Sequence, residues 1–172
     1  MFKMIGALLV IGGCGYGGLS IARGYRLRAE VLRSLQNGLN LLEAEISYGS
    51  TPLPLALERV GEKLGRESSL VFSYAAQAFH LHGGATAGEA WEEGVKKLAQ
   101  NVSLSLEDIS ILQSFGQGLG NSAKNEQLKN IALAREQLFM AEKEACLARE
   151  RYERMWRYLG FCLGAAIVLA LI

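Results

Sequence analysis

Few residues in this chain have the types and spacing that chemistry requires. The two histidines, His80 and His82, are two positions apart. On a helix that separation turns them roughly 160° from each other, so they cannot share a metal ion. No Asp, Glu or Cys set stands near them at ligand spacing. Asp108 is the sole aspartate, and no convincing Ser-His-Asp arrangement can be built around it. Gly116-Gln117-Gly118-Leu119-Gly120 precedes a predicted helix start, an arrangement that can hold phosphate. It lacks the preceding strand and the lysine of a nucleotide loop. Glu89, Glu92 and Glu93 cluster early in a predicted helix, where acids favour the dipole. Glu43 and Glu45 fall on different sides of another helix. Both acidic sets read as solvated faces, with contact to a basic partner as the other reading. Cys14, Cys146 and Cys162 show neither metal-ligand spacing nor a disulfide framework. These residues point to a protein that is not an enzyme, with no cofactor and no metal site.

The charge distribution narrows the partners. Net charge is +1, without the basic face or stripe of a nucleic-acid binder. The clustered basic residues flank two apolar ends instead, which points to lipid headgroups. Residues 4–21 carry no charge, and Arg23, Arg26, Arg28 and Arg33 follow them. About 18 residues at 1.5 Å rise cover ~27 Å, close to the hydrocarbon thickness of a bilayer. Residues 159–172 are also uncharged. With Met155, Trp156, Arg157 and Tyr158 added they reach the same length, provided that Arg157 snorkels. Trp156 and Tyr158 suit a membrane–water boundary. Arg149, Arg151, Arg154 and Arg157 mirror the four arginines after the first segment, so the positive-inside rule places the middle of the chain in the cytosol. The expected division is an N-terminal transmembrane helix over 1–22, a cytosolic helical-bundle domain over 23–155 and a C-terminal transmembrane helix over 156–172. Ile11-Gly12-Gly13-Cys14 resembles a lipoprotein cleavage box, whose processing would export the domain. The apolar run continues past Cys14, which favours the span. Gly13/Gly17 and Gly160/Gly164 form small-xxx-small pairs, which allow close helix packing in a membrane.

The middle reads as all-α. Leu32, Leu35, Leu39, Leu42 and Ile46 share one face of a helix over about 22–48, and Gly49 ends it. Thr51-Pro52 predicts the start of a second helix over about 52–64, with Thr51 as its cap and Pro52 in the first turn. Ser68 or Ser69 is expected to cap a third helix reaching about His82. Thr86 with Glu89 predicts a capping box for a fourth over about 87–100, burying Trp91, Val95 and Leu98. Ser105 with Asp108 predicts the same device for a fifth over about 106–117, with Leu106, Ile109, Leu112 and Phe115 inward. Asn121 or Ser122 opens a last helix that continues to the C-terminus. Along it Ile131, Ala134, Leu138, Ala141, Ala145, Ala148, Tyr152 and Met155 alternate by three and four, a narrow alanine-rich heptad seam. Its expected partner is the leucine stripe of the first helix. The fold class expected is therefore an antiparallel bundle of about six helices, whose first and last continue into transmembrane segments.

Several stretches together resemble the stage III sporulation protein AB family of endospore-forming bacteria. They are the run from Glu43 to Leu57 (EAEISYGSTPLPLAL), Ala90-Trp91-Glu92-Glu93, the run from Phe115 to Ser122 with Glu126-Gln127, and the run from Met155 to Phe161. The likeness covers nearly the whole chain. One departure is Ala123-Lys124, where the family pattern has Asp after Ser122; it bears on how the last helix is capped. The resemblance implies a role in the channel linking the mother cell to the forespore during engulfment. It also implies similarity to the cytoplasmic domains of the platform proteins of type II secretion and type IV pilus systems. In such machines the platform contacts a cytosolic hexameric ATPase. The expected partners are thus membrane lipids, other channel subunits and that ATPase, and the expected location is the outer forespore membrane with the main domain in the mother-cell cytosol. The alternative is a membrane-tethered coiled-coil adaptor or sensor outside any secretion-like channel. Candidate contact residues are Tyr48, Gly49 and Thr51 at one junction, and Gly116, Gly118, Gly120, Asn121 and Ser122 at another. They match family motifs and lie between helices, where they also serve to set interhelical angles. Arg23, Arg26, Trp156, Arg157 and Tyr158 are the expected membrane-interface set.

Overall fold

The computed structural model describes residues 24–49, 51–81, 86–120 and 124–171; the side chains of 153, 154 and 156–171 fall outside that description. Among the described residues there are six helices and no strand. Helix α1 covers residues 24–44 and runs into a single π turn, Glu45–Gly49. Then follow α2 (Leu53–Lys63), α3 (Arg66–Leu81), α4 (Ala87–Asn101), α5 (Leu106–Gln117) and α6 (Lys124–Leu171). Helix α6 is unbroken over 48 residues, ~72 Å at 1.5 Å per residue. Among the described residues no helix is long and apolar enough to cross a membrane. The apolar segment 4–21 lies outside the described residues, and residues 156–171 are described as helical backbone only.

The architecture rests on α1 packed antiparallel against α6. The Tyr25 and Tyr152 rings stack with centroids 4.5 Å apart. Further along, Gln36 Nε2 donates to Glu142 Oε2 at 2.8 Å, and Arg33 Nη2 lies 2.6 Å from Glu142 Oε1. Arg135 then donates to Asn40 and to Glu43, the latter at 3.1 Å, and Lys124 Nζ donates to the Ser47 carbonyl at 2.8 Å. From Tyr25 to Glu43, steps up α1 are therefore matched by near-equal steps down α6. Leu32, Leu35, Leu39 and Leu42 are buried on α1; Ile131, Ala134, Leu138, Ala141 and Ala145 are buried on α6. Small residues on α6 let the two backbones approach, and the seam stays closed over several turns. Ala148 and Tyr152 are half-buried and Met155 is 44% exposed, so the seam opens toward the chain ends.

Helices α3 and α5 reach α1 directly, through Ser68 on Ser34 and Asp108 on Arg28, while α2 and α4 pack against α3. Phe72, Trp91 and Phe115 form two edge-to-face pairs at 5.2 and 5.0 Å that tie α3, α4 and α5. Trp91 is 1% exposed, and its Nε1 donates to the Leu112 carbonyl at 2.8 Å. That bond satisfies the one polar atom of a fully buried indole. Close approach needs glycine at two helix crossings. A Cβ on Gly94 would stand 2.2 Å from the Val71 carbonyl oxygen, and one on Gly38 2.6 Å from the Phe72 ring.

Both capping boxes are present, Thr86 with Glu89 and Ser105 with Asp108. Thr51 is not a cap: Pro52 holds that position without a side-chain bond, and the Thr51 hydroxyl donates to Glu45 Oε2 at 3.0 Å. Helix α3 starts at Arg66, earlier than the serines implied; Ser68 and Ser69 donate backwards to the Gly65 and Arg66 carbonyls. Leu106 is 88% exposed rather than inward. The first turn of α5 buries Asp108 instead, because Arg28 awaits it there. The expected caps Asn121 and Ser122 lie outside the described residues.

Candidate interaction site

The two junctions singled out in the sequence come together where α1 ends and α6 begins. Lys124, at the start of α6, donates to the carbonyl of Ser47 in the π turn. A Cβ on Gly120 would meet Ala87 Cβ at 2.6 Å and Leu53 Cδ2 at 3.9 Å. The loop after α5 thus touches the first residues of α2 and α4. Gly120 has φ +83°, a conformation that glycine adopts without a Cβ penalty. Tyr48 follows Ser47 in the π turn, with 91% of its surface exposed. A π turn carries an extra residue and is common at functional positions; here it presents an aromatic ring outward.

Next to the loop lies a groove of about 420 Å³, lined by Thr86, Glu89, Glu92, Gln113, Gln117 and Leu119 over Trp91. It joins the Trp91-Glu92 motif to the Gly116–Gly120 loop, two stretches that the sequence alone left unconnected. A Cβ on Gly116 would meet Trp91 Cδ1 at 2.5 Å, and one on Gly118 would meet Asn130 Nδ2 at 2.5 Å. These glycines therefore serve packing, and the loop is pressed against α4 and α6. The groove's chemistry is acidic and amide-rich above an apolar floor, which suits a protein surface rather than a reaction.

Four of these carboxylates, Glu43, Glu45, Glu89 and Glu92, have partners within the chain, while Glu89 and Glu93 stay exposed. Glu45 bonds Thr51, lies 3.3 Å from Arg59 and 3.9 Å from Lys63. The Thr51 hydroxyl first, then the two cations, hold its carboxyl below the usual range. Glu43 pairs with Arg135, and Glu92 with Lys96 at 3.0 Å. Glu89 accepts from the Thr86 backbone N–H at 2.8 Å, which lowers its pKa. His80 is exposed, and His82 lies outside the described residues. Among the described residues no cluster of three or more His, Cys, Asp or Glu could hold a metal.

At the opposite end of α1, one of the four flanking arginines turns into the bundle and a second, Arg33, stays exposed while reaching across to α6. Arg28 clasps Asp108 and donates to Ser105 Oγ at 3.2 Å; its hydrogen bond to Asp108 raises its pKa further. Arg33 holds Glu142. Arg26 stays exposed and pairs with Glu30 one turn on. Arg23 and the side chains of Trp156, Arg157 and Tyr158 lie outside the description. Sequence reasoning took Arg28 for a headgroup partner. The one available signal was that the chain's sole aspartate sits in a capping position.

Fold and surface together define an all-α bundle built on one long antiparallel helix pair, with a cluster of matched motifs at the far end of that pair. The family model for Stage III sporulation protein AB matches residues 3–172, and the chain belongs to that family. It is 33% identical over 171 residues to Stage III sporulation protein AB of Bacillus subtilis (strain 168), across 99% of each chain. It also resembles a solved structure of Stage III sporulation protein AB (SpoIIIAB), with TM-score 0.67 and 34% identity, over 73% of this chain and 98% of that one.

Proposed function

We propose that this protein is a non-enzymatic, membrane-anchored assembly component of the mother cell–forespore channel, a platform that engages a cytosolic hexameric ATPase and other channel subunits. Residues 1–22 and 156–172 span the outer forespore membrane, and the bundle of 23–155 stands in the mother-cell cytosol. The α1–α6 pair forms a stalk, because both of its membrane-side ends continue toward uncharged segments. The face offered to the ATPase is the distal end of that stalk.

The observation that carries this reading is the convergence of Tyr48, the Gly116–Gly120 loop and the Trp91 groove at that end. Exposed tyrosines backed by a rigid scaffold are favourable anchors for a partner protein. The test is co-purification of the full-length protein with the sporulation ATPase from solubilised membranes. Wild type should retain the ATPase, and Tyr48→Ala should lose at least about 1 kcal/mol of binding, roughly fivefold or more. Absence of any association with the wild-type protein would remove the platform role.

A further inference from the structure

We infer that α6 pairs with the α6 of a second copy of this chain, in parallel and in register, through an apolar line on its outer face. Leu133, Met140 and Leu147 stand seven residues apart on α6, and each is more than half exposed. They lie away from the seam with α1, where Ile131, Ala134, Leu138, Ala141 and Ala145 are buried. Seven-residue spacing keeps side chains on one side of a gently supercoiled helix, which is the pattern of a helix–helix interface. Scattered surface leucines need no explanation, whereas three large apolar residues in line form a patch. Helix α6 thus carries two heptad lines, one filled within the chain and one open.

The charges beside the open line fit a second copy. On one side of it, three residues after each apolar position, come Glu136, Lys143 and Glu150; on the other, four residues after, come Gln137, Glu144 and Arg151. All six are exposed. A two-fold axis parallel to α6 sets the first side of each copy against the second side of the other. The facing pairs are then Glu136 with Gln137, Lys143 with Glu144, and Glu150 with Arg151, each made twice. No level brings like charges together, and flanking charges of this kind choose the partner and its orientation. Lys143 is held along α6 by the Phe139 ring, 4.5 Å from its ammonium. The parallel orientation rests on the membrane-anchored reading above, in which every copy enters one membrane at the same end of α6. A line of three apolar residues makes a weak contact between free molecules; confinement to a membrane raises the effective concentration at which copies meet.

Self-linking of single cysteines tests the pairing. Full-length protein without its three natural cysteines receives Leu133→Cys, Met140→Cys or Leu147→Cys, or, as a control, Ala132→Cys, which is exposed one residue off the line. A disulfide needs Cα atoms within about 6–7 Å, so mild copper–phenanthroline oxidation of native membranes should link each of the three line variants into a dimer about tenfold faster than the control. Lys143→Glu added to Met140→Cys sets two acids on one level and should slow the link about fivefold; Glu144→Lys added to both should restore it. A link at 140 with none at 133 or 147 would mean an antiparallel pair, and a link to another protein would mean a different occupant. Equal or absent linking on and off the line, or a link indifferent to the charge changes, would mean no specific pair. Each of these, in carbonate-resistant membrane protein, would overturn the pairing while leaving the anchors in place. Recovery of the protein in the soluble fraction would overturn the anchored reading itself, and the parallel orientation with it.

Discussion

Arg28 and Asp108 lie 80 positions apart in the chain and meet as a two-pronged ion pair, with Nε to Oδ2 at 2.7 Å and Nη2 to Oδ1 at 2.9 Å. Asp108 is fully buried, and its Oδ2 also accepts the Ser105 backbone N–H. One carboxylate therefore caps α5 and ties it to α1. Replacing one partner strands the other's charge in the interior. Arg28→Met should cost ~3–5 kcal/mol, as for other broken buried pairs. Urea unfolding of the detergent-solubilised chain, followed by circular dichroism, measures it; a loss under about 1 kcal/mol would mean that Asp108 is held by its cap alone.

Two glycines make a matched contrast. A methyl group on Gly94 would drive into the Val71 carbonyl at 2.2 Å, whereas nothing lies within 4 Å of one on Gly24. Gly94→Ala should destabilise by roughly 1–3 kcal/mol or more through forced separation of α3 and α4. Gly24→Ala should be neutral or stabilising by up to about 1 kcal/mol, since alanine favours the helix. The same unfolding measurement ranks them, and equal effects would count against the α3–α4 crossing.

Acid should loosen the start of α4 in a defined window. The folded-state pKa of Glu89 lies below its unfolded value because the Thr86 backbone N–H binds the carboxylate. Its contribution is then present above the unfolded value, about 4.3, and is lost as pH falls through the lower folded one. Glu89→Gln keeps an acceptor for the cap but does not titrate. In an NMR titration the Thr86 amide should move with a midpoint below 4.3 in the wild type, and that transition should vanish in the variant. A midpoint at or above ~4.3 would contradict the capping bond.

What the sequence made legible was periodic or chemically constrained. Capping boxes joined to heptad spacing located α4, α5 and the α6 seam, because those signals depend on neighbours only three or four residues away. What it hid depended on partners far along the chain. Leu106 faces outward, and Asp108, in its expected capping place, is buried because Arg28 supplies the charge that makes a buried aspartate tolerable. Thr51 leaves the cap position to Pro52 and instead donates to Glu45, six positions earlier, across a π turn that no local pattern announces. The candidate surface was legible as two separate junctions; that they meet through Lys124, Ser47 and Gly120 is a tertiary fact.

On the proposed topology the bundle is held on the cytosolic face of a membrane, with Tyr48 at its far end. Tyr48→Cys, in a chain whose three natural cysteines are replaced, puts one thiol at a site 91% exposed. A membrane-impermeant maleimide is applied to protoplasts of sporulating cells, intact or permeabilised. The account predicts protein in the membrane fraction that is labelled only after permeabilisation. Labelling in intact protoplasts, or protein recovered in the soluble fraction, would contradict it.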